Sequence, residues 1–278
     1  MDIGIFAKTF PRKTLDATLD AVRAHCLKYV QFNMACVGLP SMPDEIHGGL
    51  RERIRRAFAV RGLRMAAVSG TFNMIDPDPA KRANGLRQLA ILASACRDLG
   101  APIITLCTGT RDPDDMWRRH PDNDSPAAWN DLLVSMREAV RIAEDNQVTL
   151  AFEPEVANVV DSAQKGRRLL DEIGSPRLKV VMDGANLFHA GELPLMREVL
   201  DEAFELLGKD IVLAHAKDLN RDGEAGHEAA GTGLLDYDHY LALLRRAGYD
   251  GPLILHSLKE PQVDGCVTFL RGKLSSFV

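Results

Sequence analysis

Short apolar runs alternate with stretches of helical periodicity along the whole chain, and that alternation limits the fold more than any other feature. The runs are Ile3–Phe6, 29–34, 65–69, 102–106, 148–153, Leu178–Asp183, the segment opening Ile211-Val-Leu-Ala, and 252–256. Between them lie patterns such as Leu15, Leu19, Val22 and Cys26 after Thr14, spaced for one face of a helix. Strands separated by helices pair in parallel through right-handed crossovers. Eight such units in about 250 residues predict closure into a single (β/α)8 TIM barrel. An open dinucleotide-binding sheet would need Gly-x-Gly-x-x-Gly after the first run, and a P-loop would need Gly-x-x-x-x-Gly-Lys-Ser/Thr; the sequence has neither. One domain over residues 1–278 is expected.

Three runs end in side chains that bind metals. Val148-Thr-Leu-Ala-Phe stops at Glu153, Leu178-Lys-Val-Val-Met at Asp183, and Ile211-Val-Leu-Ala at His215. In a closed barrel the C-terminal strand ends share one face, so these residues would meet although far apart in sequence. Two carboxylates and an imidazole with open coordination positions suit Mn²⁺, Co²⁺, Zn²⁺ or Mg²⁺. Such an ion polarises neighbouring hydroxyl and carbonyl oxygens and eases removal of the proton between them.

Charge argues against some partners. A net charge of −5 and a pI near 5.9 supply no broad positive field for nucleic acid or an anionic membrane. The arginines at 51, 53, 55 and 56 fall opposite the apolar stripe of their helix and read as a solvated face. Cys26, Cys36, Cys96, Cys107 and Cys266 are odd in number and widely spaced, as expected of reduced thiols in a cytoplasmic protein. No stretch reads as a signal peptide or a membrane span.

Phe152-Glu-Pro-Glu155, Met182-Asp-Gly-Ala-Asn186 and His215-Ala-Lys-Asp-Leu-Asn-Arg221 together resemble the xylose-isomerase-like barrel superfamily of sugar isomerases and epimerases. The resemblance spans essentially the whole barrel. It implies a metal held by Glu at strand five, Asp at strand six, His at strand seven and Glu at strand eight. Glu153, Asp183 and His215 match the first three. Strand eight departs, because Leu253-Ile-Leu-His-Ser-Leu-Lys-Glu260 has His256 at the expected glutamate. Either His256 completes the set or Glu260 folds back; His256 is favoured because it ends the apolar run. Asn186 stands where many relatives carry a histidine and retains the ability to hydrogen-bond a substrate hydroxyl. Arg221, six residues after His215, matches a substrate-contacting arginine of the ketose 3-epimerases. The family contains dimers and tetramers, so a homo-oligomer is a further expectation.

The implied activity is metal-dependent isomerisation or epimerisation of a sugar, sugar acid or sugar phosphate through an enediolate. Glu153 or Glu155 would serve as base, and Lys217 would steady the enediolate charge. Ion pairing is the alternative role for both Glu155 and Lys217. Arg111, with Arg118 or Arg119, could bind a substrate phosphate or carboxylate, and the polar segment 112–126 reads as a lid. Cys107 reads as a buried structural thiol. A dehydratase of the inosose type and a non-catalytic sugar-binding barrel are the alternative functions. The endonuclease branch is argued against by the acidic pI and by the absence of matching histidines at strands two and three.

Overall fold

The computed structural model describes residues 1–275. Among them, eight parallel strands close into a barrel: β1 (Ile3–Phe6), β2 (Tyr29–Phe32), β3 (Arg64–Ser69), β4 (Ile103–Leu106), β5 (Thr149–Phe152), β6 (Leu178–Asp183), β7 (Ile211–Asp218) and β8 (Leu253–Leu255). Each pairs with its neighbours in sequence, and β8 pairs with β1 to close the ring. The helices outside are α1 (Leu15–Ala24), α2 (Gly48–Ala59), α3 (Pro79–Leu99), α4 (Pro126–Asn146), α5 (Ala163–Ile173), α6 (Met196–Leu207), α7 (Tyr237–Arg246) and α8 (Val263–Ser275).

Local chemistry sets these boundaries. Thr14, Asp78, Ser125 and Ser162 each cap a helix by accepting a backbone N–H bond. Pro79 and Pro126 occupy the first helical positions, and Gly100 ends α3 in the left-handed conformation at φ +73°. α6 starts three residues later than the apolar spacing from Leu193 suggests, because Leu193-Pro-Leu195 forms a 3₁₀ turn instead. A two-residue ladder, Glu228–Ala229 against Lys217–Asp218, is too short to carry a sequence signal.

Strand periodicity builds the interior in layers. Alternate side chains point to the barrel axis, and Ala67, Ala151, Val181, Leu213 and Ile254 form an apolar cluster there. Two residues further along the same strands stand Ser69, Glu153, Asp183, His215 and His256. The same alternation that packs the barrel therefore floors the site with polar groups.

Candidate metal and active site

A cavity of about 530 Å³ opens above this polar layer, lined by Gln31, Glu153, Glu155, His215, Lys217 and His256, with Phe6, Lys8 and Trp117 among the others. Asp183 lies beneath it, fully buried. Asp183 and His215 are register partners across β6 and β7. Tyr240 of α7 pins both strand ends by donating its hydroxyl to the Met182 and His215 carbonyls, each at 3.0 Å.

His215 Nδ1 faces Glu153 Oε1 at 3.3 Å and Asp183 Oδ2 at 3.4 Å. Its Nε2 is 2.8 Å from Gln31 Oε1. Lys217 Nζ lies 3.1 Å from Asp183 Oδ2 and 3.7 Å from Glu153 Oε1. Asn186 donates to Glu153 Oε1 at 2.6 Å and accepts from Gly226 N–H at 2.8 Å. Position 226 has no room for a side chain, since a Cβ there would stand 2.5 Å from that of Ala185. The His256 ring stacks on His215 with centroids 5.0 Å apart.

Burial and charge compete at each group. Burial alone would raise the Asp183 carboxyl, but Lys217 and His215 outweigh it and hold it well below the usual range. Burial would lower His215, but Glu153 and Asp183 carry it up to about 9. Lys217 is likewise held above the ordinary lysine range, its three carboxylate neighbours overcoming desolvation. Glu155, which accepts from Asn158 Nδ2 at 3.2 Å, is pushed up to about 7 by burial, with Lys217 opposing. His256 is driven well below the usual histidine value by burial and by the nearby Lys217 and His215 cations.

Ligand atoms of Asp183, His215 and His256 all lie within 4.8 Å of one another. Among the described residues, Asp183 Oδ2 and His256 Nδ1 are the enclosed side-chain polar atoms without a hydrogen-bond partner, although Asp183 Oδ2 does have the ionic contacts above. Unpartnered buried atoms are costly, and both belong to residues of this cluster. A carboxylate and two imidazoles with Glu153 beside them are a donor set that fits a divalent transition metal.

Several expected residues lie elsewhere. Arg111 is turned from the cavity to Asp131 Oδ2 at 2.7 Å and the Ile75 carbonyl at 2.9 Å. The largely exposed Arg221 pairs with Glu224 at 2.6 Å. Glu260 does not fold back: it pairs with Arg12 at 2.5 Å, near the surface. Asp218, of the opposite parity to Lys217, accepts backbone bonds from Leu219, Gly231 and Leu235 and so shapes its own loop. Segment 112–126 brings Met116 and Trp117 to the cavity, but Arg118 binds Asp112 and Arg119 binds Asp124 and Asp161, fastening the segment. Cys107 donates to the Phe72 carbonyl, and burial pushes its thiol far up, which suits a structural role. Sequence reading missed Gln31, Ser69 and Thr105. Their signal is parity, a lone amide or hydroxyl at an inward position of an otherwise apolar strand.

Fold and site together define a (β/α)8 barrel with a carboxylate and imidazole cluster at the C-terminal ends of its strands. The chain belongs to the xylose isomerase-like TIM barrel family, whose model matches residues 7–266. It is 26% identical over 193 residues to L-ribulose-5-phosphate 3-epimerase UlaE of Shigella flexneri serotype 5b, a match covering 69% of this chain and 63% of that relative. Among solved structures, a D-tagatose 3-epimerase-like protein superposes with a TM-score of 0.79 at 14% identity, covering 99% of this chain and 97% of the other. IOLI protein with a bound zinc atom superposes with a TM-score of 0.76 at 15% identity, covering 100% and 99%. These structural likenesses establish the shared fold. Among the described residues, no helix is long and apolar enough to cross a membrane.

Proposed function

We propose that this protein is a metal-dependent isomerase or epimerase acting on a small sugar. The observation that carries the reading is the convergence of Asp183, His215 and His256, two of them with unpartnered buried atoms, on a cavity also lined by Glu153, Glu155 and Lys217. The epimerase names of the curated relative and of the solved structure support it, and the zinc in IOLI protein supports the metal.

Glu153, Asp183, His215 and His256 would hold the ion, which when bound would polarise adjacent substrate oxygens. Glu155 would do the proton work. A carboxyl with a value near 7 is divided between acid and base at neutral pH and can take a carbon-bound proton and return it. Lys217, charged and buried, would balance the negative charge that the substrate gains as its proton leaves. Asn186 keeps Glu153 in place, while Phe6 and Trp117 add apolar surface to the cavity wall.

His256 favours a second reading. Inversion at one carbon uses two opposed acid–base groups, and the family resemblance implies a glutamate at the end of strand eight as one of them. With an imidazole there, one carboxylate base suffices for 1,2-isomerisation, or for dehydration if a β-hydroxyl leaves with a proton as water. Incubating the protein with Mn²⁺, Co²⁺, Zn²⁺ or Mg²⁺ and a panel of ketoses, aldoses and sugar acids in D₂O tests both. Deuterium entering next to the carbonyl, lost in Glu155→Gln, supports proton abstraction, and the product separates isomerase from lyase. No exchange with any substrate and metal would favour a sugar-binding barrel.

A further inference from the structure

We propose that Gln31 is a positioning residue of this site: its side-chain carbonyl holds the proton on His215 Nε2 and so presents the Nδ1 edge to Glu153 and Asp183. The inference deepens the proposed function and uses its assignment of the metal residues, but its core is a hydrogen bond that exists with or without an ion.

Gln31 is 3% exposed and stands on β2, across the barrel from β7. Its Oε1 is 2.8 Å from His215 Nε2. Its Nε2 faces Ser69 Oγ at 3.5 Å and Thr105 Oγ1 at 3.4 Å, two hydroxyls able to accept. Because those hydroxyls can also donate, they do not fix the amide orientation. His215 does. Its Nδ1 edge meets two carboxylates. If that edge gives its lone pair to a metal, Nε2 is the nitrogen left as an N–H; without a metal, the two carboxylates against Nδ1 favour the doubly protonated ring, in which Nε2 is an N–H as well. In both states it needs an acceptor, and the Gln31 carbonyl is in place.

The consequence is rotational. An imidazole whose far nitrogen is tied to a barrel wall cannot swing its near nitrogen away from the cluster, and the His256 ring stacked on it limits tilting. Partners on the far side of a ligating histidine fix ring orientation and tautomer, and losing one typically weakens metal binding by about 10- to 100-fold. The polar trio Gln31, Ser69 and Thr105 thus has a task beyond filling the barrel.

The test compares the wild type with Gln31→Met, which keeps size and loses the acceptor, and Gln31→Glu, which keeps an acceptor. Gln31→Leu replaces the methionine variant if that one fails to fold by circular dichroism. The ring nitrogens are followed by NMR on ¹⁵N-histidine-labelled, metal-free protein, and each protein is then titrated with zinc. The expected result is a slowly exchanging Nε2 proton on His215 in the wild type and Gln31→Glu, lost in Gln31→Met, with zinc bound about tenfold or more weakly by Gln31→Met alone. A protected Nε2 proton in Gln31→Met together with wild-type zinc affinity would overturn the proposal, as would an unprotonated Nε2 in the wild type. If the proton behaves as expected but no protein binds zinc, the positioning role stands and the metal is what fails.

Discussion

Asp183 and His215 sit side by side where β6 meets β7, with Oδ2 and Nδ1 3.4 Å apart and Lys217 Nζ 3.1 Å from the same oxygen. A carboxylate enclosed this deeply is tolerable only because two cationic groups reach it from the neighbouring strand. The arrangement ties stability and ligand binding to the same few atoms.

Removing the buried ammonium exposes that dependence. Lys217→Met leaves the buried Asp183 with His215 beside it but without its ammonium partner, and breaking a buried pair in this way costs about 3–5 kcal/mol. Urea unfolding of metal-free protein at pH 7 measures the loss. A cost below about 1 kcal/mol would show that the pair is not held as described.

Stability should fall with rising pH in two windows. Glu155 is raised from 4.5 to about 7, so its contribution is fully present below 4.5 and gone once pH has risen through 7. His215 is raised from 6.5 to about 9, so its contribution is fully present below 6.5 and lost as pH rises through 9. In metal-free protein, Glu155→Gln is expected to abolish the lower window, up to about 3 kcal/mol, and leave the upper one. Denaturant midpoints taken between pH 4.5 and 9.5 read this directly. An unchanged profile in the variant would place the lower titration elsewhere.

Metal content separates the two strand-eight candidates. Protein purified without chelator is expected to carry about one Mn, Co, Zn or Mg per chain by elemental analysis. His256→Ala should lose most of it and Glu260→Ala none, because Glu260 pairs with Arg12. Full occupancy in His256→Ala would leave Glu153, Asp183 and His215 as the ligand set.

The arginines divide by location. Arg111→Met breaks its bonds to Asp131 and the Ile75 carbonyl and is expected to cost about 1–3 kcal/mol without altering substrate KM. Arg221→Ala, on an exposed side chain, should change stability by no more than about 0.5 kcal/mol. A large rise in KM for Arg221→Ala would mean that the 219–226 loop closes on substrate.

The alternation of apolar runs and helical patterns carried the whole barrel, since periods of 2 and 3.6 are written into the order of residues and closure follows from eight repeats. Strand ends carried Glu153, Asp183, His215 and His256, because each marks where an apolar run meets the face on which barrel sites form. Sequence could not say that Arg111 and Arg221 find carboxylates outside the cavity, or that Glu260 pairs with Arg12 248 residues away. Nor could it bring Gln31 to His215 across 184 positions. Those pairings depend on which side chains closure sets within about 3 Å of each other. The order of residues specifies each strand's inward parity, but only the closed barrel decides which inward groups meet.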